Sequence, residues 1–187
     1  MSLIRKKVSP FNATAYFNNE FVPVSDSDLL GHWSVVVFYP NDFTFVCPTE
    51  LEELAGLKEK FDKEGCTIYS VSTDSHFVHK AWHETSEAVG KVNYAMIGDP
   101  SGALARDFDV LVEKDWQALR GSFVINPEGE IVAYEVHDGG IGREFTELLR
   151  KVQAARFIAE HDGLVCPAHW KPGEETIKPS FDLVGKI

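Results

Sequence analysis

The sequence predicts an α/β fold, a central mixed sheet flanked by helices, with an N-terminal extension and a C-terminal arm. Three observations lead there. Residues 33–39 (WSVVVFY) are an almost continuous apolar, β-rich run, as expected of a strand buried on both faces. Residues 48–62 place Leu51, Leu54, Leu57 and Phe61 at helical spacing, giving one apolar stripe. Residues 67–72 (TIYSVS) return to a strand pattern, so the three segments form a strand–helix–strand unit with parallel strands and a right-handed crossover.

The remaining elements follow in order. Pro40 ends the first strand because proline removes a ladder donor, and the loop NDFTFV leads to Cys47. Pro48 suits the first helical position. Glu50, Glu52 and Glu53 lie early in that helix and Lys58, Lys60 and Lys63 late, complementing its dipole. Gly65 closes it. A second helix is expected over 76–85, a short strand over 94–97, a turn at 99–102 (DPSG) and a short helix over 103–108. Segments 121–125 and 130–137 flank NPEG at 126–129, a hairpin signal. A long helix over 143–160 turns Phe145, Leu148, Leu149, Val152, Ala155 and Phe157 inward. Beyond Gly163, proline and glycine punctuate an irregular tail. This is the element order of a thioredoxin-like fold, with residues 1–160 as one domain and 161–187 as the arm.

The totals narrow the function. The chain has 187 residues, enough for one sizeable core and a tail. Its net charge of −11 argues against a sequence-independent grip on nucleic acid and against a polybasic membrane anchor. No apolar stretch follows the basic residues near the start, so no secretory signal is expected, and no run is long enough to span a bilayer. The cytoplasm is the expected compartment. Three cysteines, Cys47, Cys66 and Cys166, without a C-x-x-C pair cannot form a disulfide scaffold, a zinc ribbon or a thioredoxin-type dithiol. In a reducing compartment a disulfide here would be transient and catalytic.

Cys47 falls at the expected N-cap of the helix beginning at Pro48. Free backbone N–H groups and the positive end of the dipole favour an anion there, and thiolate is the reactive form of cysteine. Full ionisation of a free cysteine gains only roughly 30-fold, about 2 kcal/mol, whereas enzymes gain ~8 kcal/mol or more. The rest must come from orienting the attacked oxygen and stabilising the departing one. Thr44, three residues before Cys47, offers a hydroxyl, Pro40 can shield the thiol, and an arginine could hold both thiolate and oxygen.

These residues carry a family resemblance. Residues 40–47 (PNDFTFVC) match the P-x-x-x-T-x-x-C signature of peroxiredoxins, and FTFVCPTE at 43–50 resembles the typical two-cysteine class. VSTDSHFVHKAW at 71–82, RGSFVINPEG at 120–129, LVCPAHWKPG at 164–173 and DLVGKI at 182–187 extend the likeness over essentially the whole chain. The resemblance implies that Cys47 is the peroxidatic cysteine, that Thr44 and Arg120 position peroxide and stabilise thiolate and transition state, and that Pro40 shields the site. It implies that Glu50 helps hold the active-site arginine arrangement. It also implies that Cys166 resolves the Cys47 sulfenic acid from the partner chain, giving an intersubunit disulfide. The implied reductant is an NADH-linked flavoprotein disulfide reductase or a thioredoxin-type donor, the implied assembly a homodimer in a ring of five dimers, and no cofactor is bound by the chain itself. The substrates implied are hydrogen peroxide and organic hydroperoxides.

Departures from the family matter as well. The loop at 87–91 reads EAVGK where relatives sensitive to overoxidation carry GGLG, and the tail lacks their Tyr-Phe pair, so resistance to sulfinic inactivation is expected. Simpler readings stand beside these. Cys66 is expected to be core packing, Arg120 is locally compatible with an ordinary surface arginine, and the acidic runs are solvated by default. His76, His79 and His83 share one helical face and are expected to make a polar surface or interface face rather than a metal site; Trp82 is expected to anchor near the active-site helix. A holdase-type assembly is the alternative function, able to coexist with catalysis.

Overall fold

The N-terminal extension of the computed structural model, which describes residues 2–186, contains a hairpin of β1 (Asn12–Phe17) and β2 (Glu20–Ser25). Asn18 and Asn19 both take positive φ, 50° and 64°, the pair of left-handed residues that a two-residue hairpin turn requires and that asparagine tolerates. Pro23 lies within β2, but β2 is a sheet edge, where a missing donor costs no ladder bond.

The chain then runs through β3 (Trp33–Phe38), α1 (Cys47–Lys63), β4 (Cys66–Ser72), α2 (His76–Thr85), β5 (Ala95–Gly98) and α3 (Ala103–Asp107). A small ribbon of β6 (Leu111–Val112) and β7 (Gln117–Ala118), absent from the sequence expectations, leads into β8 (Arg120–Ile125), β9 (Ile131–His137) and α4 (Phe145–Glu160). The main sheet has seven strands in the order β2-β1-β5-β4-β3-β8-β9. β3, β4 and β5 are parallel to one another, and β1, β8 and β9 pair antiparallel to their neighbours, so the expected mixed thioredoxin-like sheet is present.

All residues of β3 are buried because helices cover both faces of the sheet. The period of two sorts them: Val35, Val37 and Tyr39 face one cluster with Leu51, Leu54, Phe61, Trp82, Leu148 and Val152, while Val36 and Phe38 face Phe108, Phe123 and Ile97. Cys66 lies in the first cluster, 2% exposed; burial, then Glu64 and Asp62, push its thiol well up, as suits a packing residue. Gly98 ends β5 where a Cβ would stand 2.7 Å from the amide nitrogen of His76, so only glycine lets α2 begin so close to the sheet.

Two boundaries differ from expectation and bear on the site. Cys47 is itself the first residue of α1, with Val46 in the N-cap position and Pro48 second. α4 begins at Phe145 rather than 143 because the Arg143 amide and side chain are committed to Glu50. The arm folds back on its own chain: Trp170, 2% exposed, packs 4.9 Å from Phe157 of α4, and an isolated bridge joins Val165 to Ile177. Phe181 of the arm is 98% exposed. No helix among the described residues is long and apolar enough to cross a membrane.

Candidate active site

α1 begins directly after the loop that leaves β3, so its first turn stands at the carboxyl ends of the parallel strands. Pro40 opens that loop, half-buried. Phe43 adopts φ +55°, a left-handed conformation uncommon for a bulky residue, and its ring packs 5.9 Å from Trp82. Trp82 also lies against Tyr39 and shares the core cluster of Cys47 and Leu51 from α1. The Thr44 hydroxyl donates to the Asn41 carbonyl at 2.8 Å, so its oxygen lone pairs remain for another donor.

Cys47 is fully buried. Arg120, the first residue of β8, donates from Nη1 to the Cys47 sulfur at 3.3 Å and to Glu50 Oε2 at 2.8 Å, while its Nε donates to the Gly139 carbonyl at 2.8 Å. Only 3% exposed, it is no surface arginine. Glu50, one turn after Cys47, is 2% exposed rather than part of a solvated acidic face. Burial pushes its carboxyl up, but hydrogen bonds and charge from Arg143, with the charge of Arg120, reverse that and hold it below its ordinary value.

Arg143 carried no site expectation. It grips both Glu50 oxygens, from Nε to Oε1 at 3.0 Å and from Nη2 to Oε2 at 2.9 Å, and its amide adds a bond to Oε1 at 2.8 Å. Its Nη1 donates to the Gly121 carbonyl and Ser122 hydroxyl on β8. No local signal marks it. The clue available in sequence was indirect: a buried carboxylate at Glu50 needs more cation than one shared arginine supplies.

His79 also departs from expectation. It is fully buried, with Nδ1 2.7 Å from Asp42 Oδ2 and Nε2 3.1 Å from the Ile97 carbonyl. Both ring nitrogens thus have hydrogen-bond partners inside the fold. Asp42 further accepts the Tyr39 hydroxyl at 2.7 Å, and its amide donates to Asp74 at 2.8 Å. This network ties the loop before Cys47 to α2 and β5. His83 instead meets the Val92 carbonyl, and the His76 ring lies tilted against Phe77.

Cys166 is not brought to Cys47. Its sulfur lies 4.0 Å from the Ala154 carbonyl of α4, and both thiols are free. Gln153, beside Ala154, bonds Glu64 just past the far end of α1. With Cys47 opening a 17-residue helix, the two sulfurs of one chain are on the order of 20 Å apart, against the Cα separation of under ~7 Å that a disulfide requires.

The site thus joins a cysteine at a helix start to a buried arginine that shares a carboxylate with a second arginine, on a thioredoxin-like sheet. The AhpC/TSA family profile matches residues 4–134. The chain belongs to the AhpC/TSA family. It is thus a peroxiredoxin, a thiol-dependent peroxidase. Alkyl hydroperoxide reductase C of Salmonella typhimurium is 56% identical over 187 residues, covering the whole of both chains, and that of Bacillus subtilis is 54% identical over the same span. Among solved structures, Enterococcus faecalis AhpC superposes with a TM-score of 0.87 at 50% identity, covering 89% of this chain and all of that one. The reduced 2-Cys peroxiredoxin of Plasmodium vivax reaches a TM-score of 0.92 at 30% identity, covering 97% and 96%. Residues 154–187 match the C-terminal domain of 1-Cys peroxiredoxin, although here that stretch contains Cys166.

Proposed function

We propose that this peroxiredoxin reduces hydrogen peroxide and organic hydroperoxides through Cys47, with the partner's Cys166 resolving the oxidised sulfur. The contact from Arg120 to the Cys47 sulfur at the first residue of α1 carries the reading. Two guanidinium groups around one Glu50 carboxylate leave one positive charge for a thiolate to balance. The thiolate attacks the terminal peroxide oxygen, the O–O bond breaks, and the leaving alkoxide or hydroxide takes up a proton, giving alcohol or water and a Cys47 sulfenic acid. Arg120 stabilises charge on the oxygens as it develops. Thr44, its own proton engaged by Asn41, accepts the peroxide O–H and orients it. Pro40 shields the thiol, and Glu50 with Arg143 keeps Arg120 in place.

The partner's Cys166 thiol then displaces water from the sulfenic acid to form the disulfide. The long separation within one chain supports a resolving thiol from another. Cys47 at a formed helix start cannot reach disulfide geometry, so the first turn of α1 and the arm open locally. A dithiol donor, a flavoprotein disulfide reductase fed by NADH or a thioredoxin-type protein, restores both thiols by two-electron exchange; the chain itself carries no cofactor. The cytoplasm is the proposed compartment, with residues 1–160 as catalytic domain and 161–187 as arm. Phe21, Phe43 and Phe77, exposed by 42%, 58% and 64%, with Phe21 and Phe77 in ring contact at 5.0 Å, favour a covered face, and a ring of five dimers is the assembly that the family resemblance implies. The same aromatics favour holdase activity as a second function, which Cys47→Ser should spare while abolishing turnover.

Non-reducing electrophoresis after one equivalent of peroxide tests the cycle. Wild type and Cys66→Ser should give covalent dimers; Cys47→Ser and Cys166→Ser should not. Dimers persisting without either of the latter two sulfurs would refute it.

A further inference from the structure

The way α1 is held changes abruptly between Thr49 and Glu50. Before that point the hydrogen bonds are local: Thr44 to the Asn41 carbonyl, and the Thr49 hydroxyl and amide to the Val46 carbonyl. The long-range exception among the described residues 43–49 is Arg120 on the Cys47 sulfur, and that bond is consumed by the chemistry. Val46 gives no side-chain cap. From Glu50 onward each residue of the second turn is tied to a distant element. Glu50 is held by Arg120 and Arg143, the Leu51 carbonyl by the Tyr94 hydroxyl at 3.0 Å, Glu52 by Lys91, and Glu53 by the Phe145 amide at 3.3 Å.

Of these ties, the one from Tyr94 differs in kind. It is buried, 3% exposed, and it restrains the backbone of α1 rather than a side chain. A helical carbonyl already serving its own helix has a second lone pair, and Tyr94 fills it from just before β5. Unwinding that ran on past Glu50 into the Leu51–Glu52 peptide would pull that carbonyl away and leave the phenol hydroxyl buried without a partner. By contrast the Lys91–Glu52 pair is exposed and yields readily.

We propose that Tyr94 is a positioning residue for the resolving step: by holding the Leu51 carbonyl it fixes the hinge about which residues 43–49 swing out, and resists that swing until resolution. This rests on the Cys47–Cys166 cycle proposed above. The role concerns opening, not attack on peroxide, because Tyr94 contacts α1 one residue beyond the Glu50–arginine cluster.

Tyr94→Phe keeps the ring and removes only the hydroxyl. In rapid-mixing measurements, disulfide formation after the sulfenic acid should accelerate about fivefold, the loss of one buried hydrogen bond. The rate of the first reaction with peroxide should stay at the wild-type value, and sulfinic acid formed per turnover should fall by a similar factor. Lys91→Ala should change resolution by less than about twofold, as an exposed pair would. An unchanged or slower resolution in Tyr94→Phe, with normal disulfide in wild type, overturns the role of Tyr94 alone. A parallel fall in the peroxide reaction also overturns it, since that marks a residue that merely builds the site. Absence of the Cys47–Cys166 disulfide in wild type would overturn the cycle and this role together.

Discussion

Arg143→Lys separates charge from geometry at the site. Lysine keeps the positive charge but replaces a planar fork with a single ammonium. Arginine here makes side-chain bonds to both Glu50 oxygens at 3.0 and 2.9 Å, and to Gly121 and Ser122 at 2.8 and 3.2 Å. One ammonium cannot serve both α1 and β8 in that set, so at least one charge-assisted bond is lost, worth ~1.5–3 kcal/mol, and a β8 acceptor is stranded for about 1 kcal/mol more. The expected total near 3 kcal/mol corresponds to a fall in Tm of roughly 6–12 °C for a domain of this size. Glu50 should then draw Arg120 toward itself and away from sulfur. At 3.3 Å and an effective dielectric of ~20, the guanidinium–thiolate attraction is about 5 kcal/mol before desolvation. Losing a quarter to a half of it slows the peroxide reaction by about 10- to 100-fold. Thermal unfolding and stopped-flow rates, measured alone and in a double-mutant cycle with Glu50→Gln, provide the assay. A Tm within about 2 °C of wild type at an unchanged rate, or effects of the two substitutions that simply add, would refute the coupling.

Other consequences can be checked with similar means. Because Glu50 is held below its ordinary value of 4.5, its contribution to stability is complete above that value and is lost as pH falls through the lower folded one. Tm should therefore decline more steeply with acid in wild type than in Glu50→Gln, and parallel slopes would contradict the pairing. Thr44→Val should slow peroxide reduction by about 100-fold while Thr44→Ser recovers most of it, as expected when the acceptor that orients the peroxide O–H is lost; equal rates for the two variants would remove the hydroxyl from the reaction. With EAVGK at 87–91 in place of GGLG, Cys47 should resist sulfinic acid formation at modest peroxide, and ready appearance of that product in mass spectra would count against it.

The sheet and the catalytic helix were legible because their signals are local. Six buried positions in β3 and a helical stripe after Cys47 need no knowledge of the rest of the chain. The first hairpin was legible in principle, through Asn18-Asn19 between β-rich runs, but Pro23 argues for a strand only once β2 is known to be an edge. His79 shares a helical face with His76 and His83, and nothing in that spacing shows that Asp42 arrives from 37 residues earlier to bury it. Cys47, Thr44, Pro40, Glu50 and Arg120 could be singled out through the family motif, whereas the ionic logic joining Glu50 to Arg143 spans 93 residues and emerges only when α1, β8 and the start of α4 converge.

The sharing of Glu50 between two arginines also sets a clock. With Cys47 as thiolate, the buried cluster is electroneutral. Once sulfur has become a neutral sulfenic acid, the same cluster holds a surplus positive charge away from water, an expensive state in a low-dielectric interior. The cheapest relief is hydration, which opening of the first turn of α1 provides. On the proposed cycle, oxidation thus loosens the very segment that resolution must move, and reduction, by restoring the thiolate, draws it closed.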